Sequence, residues 1–283
     1  MTLDRTESAA RAAASAQEAE DQPFMQHFDR WWLLFVAVVV ITYVLIRSRP
    51  DPYGRIWMFL QDGIRVTLTI TAVSFVFIVF AGLIGGLGRV SKNPIISGVA
   101  SVYVEVVRGV PLLVQLLFIY YASPILLRGL GRQLSTSLPG LAGQLIRIRI
   151  NPFAAAVLGL TVCYGAYMSE IVRAGIESIP KGQMEAARSL GMSYFQAMRH
   201  VILPQAIRTI LPPVGNEFVA LLKDSSLVSV VAVADMTRRG REFMASTFLA
   251  LETWFLVALL YLVMTLFAAR IVAFIERKSR YVR

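Results

Sequence analysis

Long apolar runs, separated by short stretches that carry most of the charged residues, dominate the pattern of this chain. A bilayer core ~30 Å thick is crossed by a helix of roughly 20 apolar residues, and six runs approach that length. We predict membrane-spanning helices near residues 31–47, 66–88, 97–122, 153–174, 211–235 and 252–274. The fifth run is the most interrupted, since it contains two prolines and three charged residues: Pro212, Pro213, Glu217, Lys223 and Asp224. The predicted fold class is an all-α integral membrane protein with about six transmembrane helices.

The first apolar run follows a polar segment, residues 1–30, that contains six acidic residues. An acidic leader with no small-residue cleavage site after Ile46 is untypical of a signal peptide, so we interpret residues 31–48 as an extra, uncleaved anchor helix. With residues 1–30 as a cytoplasmic tail, the inner segments hold 15 Lys and Arg residues and the outer segments nine. Because Lys and Arg concentrate in cytoplasmic loops, both termini, including the tail 278–283, are predicted to be cytoplasmic. The outer segment 123–150 opposes this bias, because it carries four arginines.

Composition excludes several classes of protein. Hydrophobic residues make up 56% of the 283 residues and charged residues 16%, whereas soluble globular chains are nearer ~45–50% and ~25%. These values argue against a disordered protein, a disulfide-stapled secreted domain and an ordinary cytosolic enzyme. The single cysteine, Cys163, permits neither an internal disulfide nor a cysteine zinc site. The net charge of +10 fits basic cytoplasmic loops and contact with anionic lipid better than nucleic-acid binding.

The predicted cytoplasmic segment between the fourth and fifth runs, about residues 178–206, is unusually structured for a connection. Good helix formers predict a first helix over about 182–190, and Gly191 suits the left-handed position that ends it. Ser193 and Gln196 form a capping box that starts a second helix, and Pro204 predicts a break before the chain re-enters the membrane. Two interpretations stay open at this point. One is a projection that fits the groove of a partner through the side chains of Met184, Leu190, Tyr194 and Phe195. The other is an amphipathic helix on the membrane surface.

Four blocks of sequence resemble a known family. Glu185-Ala186-Ala187, then Gly191, then Leu203-Pro204 is similar to the EAA loop of ABC importer permeases, with Val201 where isoleucine is usual. The blocks 105–115 and 166–183, and more loosely 216–227, resemble the polar amino-acid branch of these permeases, the histidine, glutamine and arginine type. The resemblance covers about residues 62–277. The anchor helix 31–48 and the outer segment 123–150 are extra to the shortest members.

The resemblance implies a five-helix permease core at 62–277, with the anchor helix added. It implies one half of a pore that imports amino acids by alternating access across a bacterial cytoplasmic membrane. The implied partners are a second permease subunit, identical or related, two ABC ATPases that bind ATP and Mg²⁺, and an external solute-binding protein. This chain has no phosphate-binding G-x-x-x-x-G-K-[ST] loop, so a partner must supply the ATPase. The residues implied to couple to that ATPase are Glu185, Ala186, Ala187, Gly191, Leu203 and Pro204.

Polar residues within the predicted spans are candidates for the substrate pathway, since they are costly in a membrane. An amino-acid zwitterion needs acceptors for its ammonium group and donors for its carboxylate, which selects Gln115, Tyr164, Tyr167, Glu170, Glu217, Asp224, Ser225 and Ser226. Glu105 and Arg108 are i,i+3 neighbours, and we favour structural pairing between them. Gly109 and Pro111 predict a break that either lines a site or is a simple kink. Gly82, Gly85 and Gly86 predict close helix packing.

Two further functions compete with transport. No convergent catalytic set and no metal-binding set occurs in the sequence, which argues against an intramembrane enzyme. A membrane scaffold or regulatory protein that recruits a cytoplasmic partner without transport is the alternative hypothesis. Charges and a broken helix inside the membrane favour a transport pathway over a scaffold.

Overall fold

The computed structural model describes residues 30–280, and within this range the chain is helical with no strand. Its α-helices are α1 Arg30–Ser48, α2 Arg55–Arg89, α3 Pro94–Arg108, α4 Leu112–Leu117, α5 Ser123–Gln133, α6 Pro139–Arg147, α7 Pro152–Glu177, α8 Lys181–Ser189, α9 Tyr194–Ala197, α10 Leu203–Asp224, α11 Met236–Thr247 and α12 Ala250–Arg280. A short turn, Pro50–Gly54, with Asp51 in a non-helical conformation precedes α2. Single π-helical turns join α4 to α5 and α9 to α10, and a 3₁₀ segment, Ser225–Val231, follows α10. The predictions for the two tails fall mostly on residues outside the described range.

Four helices are long and apolar enough to cross a membrane: Pro50–Arg89, Leu112–Gln133, Pro152–Glu177 and Ala250–Arg277. The segment Trp32–Ser48 is also apolar but shorter. The all-α fold class is therefore confirmed, whereas the count of six spans stays a prediction. The predicted fifth span is wrong at its end, because α10 stops at Asp224 and the apolar residues after it form the 3₁₀ segment. The chain then turns at Ala232, whose φ of 64° lies in the left-handed region.

Capping residues explain where three helices begin. The Asn93 side chain accepts hydrogen bonds from the first backbone amides of α3, and the Asn151 side chain does the same for α7. Pro94 and Pro152 follow these caps, at a position where the missing amide hydrogen costs no helical bond. Asp235 caps α11 in the same way. The sequence thus sets the starts of these helices locally.

The centre of the fold is the close packing of α2 against α7. Added Cβ atoms on Gly82 and Gly85 would lie 2.1 Å from side-chain atoms of Met168 and Ser169 respectively. The predicted close packing at these glycines is therefore confirmed, because only residues without a Cβ allow the two helices to approach this far. This packing joins a core of buried apolar side chains that also includes residues of α4, α10 and the 3₁₀ segment.

A second cluster of buried side chains holds the start of α2 against α11 and α12. Ile56 and Leu60 of α2 pack there with Met236, Phe243 and Leu256. The extra helix α1 lies along α12, where the rings of Phe35 and Phe267 stack with centroids 6.3 Å apart. Helix α1 is thus packed on the core and does not stand alone.

The segment 178–206 folds as two short helices with a sharp turn between them. The observed α8 is close to the predicted 182–190, Gly191 has φ +83°, and the Ser193–Gln196 capping box is present in both directions. The predicted break at Pro204 is wrong. Pro204 lies in the first turn of α10, and α9 continues into α10 through the π-helical turn Met198–Ile202, where the hydrogen-bond spacing changes and the helical path is not interrupted.

Candidate functional site

A break between α3 and α4 lies at the centre of the candidate site. Gly109 ends α3, and Pro111, which has no amide hydrogen, starts α4 after a turn outside the helix. The side-chain amide of Gln115 donates to the carbonyls of Val107 and Val110, both at 2.8 Å. Gln115 therefore satisfies the backbone acceptors that the break exposes, and it acts as a support for the site.

The break lines a cavity of about 380 Å³ between α3–α4, α7 and α10. Its lining residues are Arg108, Gly109, Val110, Pro111, Leu112, Cys163, Tyr164, Tyr167, Glu217 and Asp224. Of the two interpretations of the Gly109–Pro111 break, the structure therefore favours the one in which it lines a site. A volume of this size is within the range of small-molecule pockets.

Three charged side chains line this cavity. Glu217 and Asp224 come from α10, two turns of helix apart, and Arg108 comes from the last turn of α3. Asp224 accepts a hydrogen bond of 2.7 Å from the hydroxyl of Tyr164. The Arg108 guanidinium lies over the ring of Tyr167, 5.2 Å from its centroid. The cavity thus presents two acidic groups, one basic group and aromatic surface within one space.

The predicted pairing of Glu105 with Arg108 is wrong. Both side chains are exposed, and among the described residues Glu105 and Arg108 form no ion pair. The spacing i,i+3 makes the two residues neighbours on α3, but Tyr167 from α7 offers Arg108 a ring face instead. Arg108 therefore belongs to the cavity, and both its charge within a predicted span and the adjacent Gly109–Pro111 break were signals for this position.

Four of the eight residues predicted for the substrate pathway line the cavity: Tyr164, Tyr167, Glu217 and Asp224. Gln115 is directly behind the break. Ser225 is buried and donates to the carbonyl of Leu222, and Ser226 is not among the lining residues. The structure thus brings half of the predicted set together around one space.

Glu170 lies apart from the cavity in a cluster of ion pairs. Its carboxylate contacts Arg89 of α2 and Arg173 of α7, and Arg173 also contacts Glu177. The side chains of Arg89 and Glu170 are only 14% and 27% exposed to solvent, respectively. The cluster therefore joins the ends of α2 and α7, next to the segment 178–206.

The α8–α9 segment has one buried side and one exposed side. Ala187 is buried, and Met184 packs on Val172, Ile176, Ile202 and neighbouring apolar residues at the base of the segment. Met184 was expected to project toward a partner, and this expectation is wrong. Leu190 and Phe195 do project, with 82% and 71% of their surface exposed. Large apolar side chains so exposed are typical of a surface that another protein covers.

Glu185, Ala186 and Gly191 are exposed on the same segment, and Leu203 and Pro204 lie in the first turn of α10 below it. The turn at Gly191 is held by backbone hydrogen bonds to the carbonyls of Ala187 and Arg188. Lys92, after α2, lies over the ring of Tyr194 at 5.1 Å. Within the described residues no group of three or more metal-ligating side chains occurs.

The comparison with known proteins assigns this architecture to a class of transport subunit. The family described as "Binding-protein-dependent transport system inner membrane component" matches residues 78–281, which is more than half of the chain. The chain therefore belongs to this family, and it is a multi-pass membrane subunit that is not itself catalytic. The resemblance to ABC importer permeases that the sequence blocks indicated is confirmed.

Particular relatives narrow the likeness further. The chain is 39% identical to the glutamine transport system permease protein GlnP of Escherichia coli (strain K12) over 231 residues, which cover 81% of this chain and 97% of the relative. It is 35% identical to the arginine transport system permease protein ArtQ of Bacillus subtilis (strain 168) over 222 residues, with coverage of 78% and 93%.

Solved structures agree with this placement. A crystal structure of an amino acid ABC transporter with histidines has a TM-score of 0.67 and 39% identity to this chain. The match covers 80% of this chain and 96% of the chain in that structure. An inward-facing structure of the MetNI methionine ABC transporter has a TM-score of 0.60 with 21% identity, which shows likeness of fold alone.

Proposed function

We propose that this chain is the permease subunit of an ATP-driven importer of amino acids, and that the cavity between α3–α4, α7 and α10 holds the amino acid during transport. The observation that carries this proposal is the meeting of Arg108, Glu217 and Asp224 at one broken helix within a family of transport subunits. A charged group inside a membrane protein is costly unless it has a function or a partner. Glu217 has no hydrogen-bond or ion-pair partner within the described part of the chain.

The charges at the cavity support a preference for amino acids with a cationic side chain. The carboxylate of the substrate suits Arg108, because guanidinium binds carboxylate with two parallel hydrogen bonds. Its ammonium group suits one of the two carboxylates of α10. The other carboxylate then has no cationic partner unless the substrate brings a second positive charge. The side chain of arginine or lysine supplies this second positive charge. A neutral amino acid leaves one carboxylate without a cationic partner, which is unfavourable away from bulk water.

The α8–α9 segment is the proposed contact with a partner ATPase that binds ATP and Mg²⁺. Glu185, Ala186 and Gly191 offer an exposed turn beside the projecting Leu190 and Phe195. Packing of the base of this segment on α7 and α10 gives a stiff connection to the two helices that line the cavity. A movement of the segment is therefore transmitted to the cavity walls, as alternating access requires.

The remaining elements of the proposal follow from the family. A second permease subunit, identical or related, completes the pore, and an external binding protein delivers the amino acid. The segment α8–α9 and both termini face the cytoplasm. The scaffold alternative is less well supported, since the family and the named relatives are transport proteins.

Uptake by the complete system tests this proposal. The permease, its ATPase and its binding protein are reconstituted in liposomes, and uptake of radiolabelled arginine is measured with ATP present or absent inside. We expect saturable ATP-dependent arginine uptake that excess lysine inhibits more strongly than excess glutamine or glutamate. Uptake of no amino acid contradicts the transport function. ATP-dependent uptake that only neutral amino acids inhibit leaves transport intact and contradicts the cationic preference.

A further inference from the structure

The segment that joins the break to α7 contains a second charged feature, which the transport cavity does not use. Helices α5 and α6 form a hairpin whose close contact depends on Gly131. An added Cβ at Gly131 would lie 2.9–3.0 Å from atoms of Ala142, Leu145 and Ile146. Arg128 of α5 donates a hydrogen bond of 3.1 Å to the carbonyl of Ile148, which ties the hairpin to the chain just before α7. The hairpin is therefore an ordered element with a defined surface.

The hairpin carries only positive charge. Arg128 and Arg132 of α5, Arg147 at the end of α6 and Arg149 two residues after it are all exposed, and no acidic residue occurs anywhere between Glu105 and Glu170. These four arginines form no ion pair within the described part of the chain. The positive charge of the hairpin is thus uncompensated by the protein.

Several other arginines on the same side of the membrane differ in this respect. Arg55 and Arg65 of α2 contact Asp51 and Asp62, and Arg238 of α11 contacts Glu242. The start of α2 packs with α11, and both lie at the opposite end of the α2–α7 bundle from the α8–α9 segment. Four arginines on this side thus have a neighbouring carboxylate, whereas Arg49 and Arg241 form no ion pair within the described residues. The hairpin differs from both groups, because four arginines without an ion pair occur close together in a stretch of sequence that has no acidic residue.

The position of the hairpin places its charges at the surface of the bilayer. The segment Leu112–Gln133, which ends with α5, and helix α7 are both long and apolar enough to span the membrane, and α6 lies between them in the chain. Arg128 and Arg132 are in the last turns of the segment Leu112–Gln133, and Arg147 and Arg149 precede the start of α7 by a few residues. All four therefore lie near one membrane boundary, on the side opposite α8–α9.

The hairpin also exposes apolar side chains beside the arginines. Ile125, Leu126 and Leu130 of α5, and Leu141 and Ile146 of α6, are exposed large hydrophobic residues. An element with apolar and arginine-rich surfaces that lies at a membrane boundary has the chemistry of an interfacial amphipathic helix, with acyl chains on one side and headgroups on the other. A soluble protein partner would account for the exposed arginines but not for the apolar side chains beside them.

We propose that the α5–α6 hairpin is a binding site for anionic phospholipid, with Arg132, Arg147 and Arg149 on the phosphate groups and the exposed leucines and isoleucines among the acyl chains. Arginine is suited to this task, because its planar guanidinium matches a phosphate with two hydrogen bonds. The retention of lipid at this site anchors the outer end of the broken helix beside the cavity.

Native mass spectrometry of the complete transporter in detergent, titrated with phosphatidylglycerol or phosphatidylcholine, tests the proposal. The variant R132Q/R147Q/R149Q removes three charges and keeps Arg128, which has a structural hydrogen bond. We expect its binding of phosphatidylglycerol to weaken by roughly tenfold or more, since each basic residue at a membrane surface contributes about fivefold. Binding of phosphatidylcholine should not change.

Two matched variants complete the experiment. R55Q/R65Q/R238Q removes the same charge from the same side, and it should bind phosphatidylglycerol as the wild type does. R132K/R147K/R149K keeps the charge, so it should retain most of the binding and report whether the hairpin still folds. Equal phosphatidylglycerol binding by the wild type and R132Q/R147Q/R149Q would overturn the proposal. An unchanged lipid titration combined with lost stimulation by the binding protein would also overturn it, in favour of a protein-docking surface.

Discussion

Replacement of Gly86 by alanine tests the packing of α2 on α7 most sharply. The added Cβ would lie 2.6 Å from Cβ and Cγ1 of Val172 and 2.9 Å from the carbonyl oxygen of Ser169. Because one of these atoms belongs to the backbone, rotation of a side chain does not relieve the contact, and the two helices must separate. Overpacking of this kind typically costs about 1–3 kcal/mol.

Gly98→Ala is the matched control, since Gly98 lies in α3 and an added Cβ meets nothing within 4 Å. Both replacements gain helix propensity of up to about 1 kcal/mol, so the difference between the two variants isolates the packing cost. At about 2–4 °C per kcal/mol for a chain of this size, the apparent Tm of Gly86→Ala should lie roughly 2–12 °C below that of Gly98→Ala. Scanning fluorimetry of the purified transporter measures this difference. An apparent Tm for Gly86→Ala equal to or above that of Gly98→Ala would refute the packing argument.

Three further predictions concern the ion-pair cluster, the turn of the α8–α9 segment and the helix break. Glu170→Gln removes the carboxylate that joins α2 to α7 and leaves Arg89 largely buried, so the apparent Tm should fall while the KM for uptake stays the same; a raised KM at unchanged Tm would place Glu170 in the substrate site. Gly191→Ala puts a Cβ at φ +83°, a strain of about 1–2 kcal/mol, and should lower substrate-stimulated ATP hydrolysis. Gly182→Ala should not lower it, because an added Cβ there also meets no atom within 4 Å but the backbone has no positive φ. Equal rates of hydrolysis in the two variants would exclude a role of this turn in coupling. Gln115→Leu leaves two carbonyls of the break without their donor, at about 1–3 kcal/mol each, and should both destabilise the protein and raise KM; an unchanged KM would show that the break does not shape the site.

Features that depend on neighbouring residues in the sequence could be predicted. The turn at Gly191 and the capping box of Ser193 and Gln196 are both local, and both are present where the pattern placed them. Hydrophobic runs likewise located α2, α7 and α12, because the length of an apolar run reflects the thickness of a membrane. The glycines of α2 indicated close packing, but their pattern did not identify α7 as the partner.

Features that depend on tertiary contacts were missed. The spacing of Glu105 and Arg108 predicted a pair, yet Arg108 lies over a ring contributed by another helix. Hydropathy extended the fifth span past Asp224, since apolar residues in a buried 3₁₀ segment resemble those of a spanning helix. Met184 has an apolar side chain in a surface segment, and the sequence alone does not distinguish a side chain that projects from one that packs inward.

The selectivity of uptake in Asp224 variants tests the central claim most directly. The kcat/KM of arginine uptake and that of glutamine uptake are measured in liposomes for the wild type, Asp224→Asn and Tyr164→Phe. Tyr164→Phe removes the hydrogen bond to Asp224 but keeps the negative charge of Asp224. This variant therefore separates the effect of losing the charge from the effect of losing the hydrogen bond. The account predicts that Asp224→Asn lowers the ratio of arginine to glutamine kcat/KM by about tenfold or more, as loss of one charge-assisted contact implies, while Tyr164→Phe leaves the ratio near that of the wild type. An unchanged ratio in Asp224→Asn would contradict the claim that this cavity selects the transported amino acid.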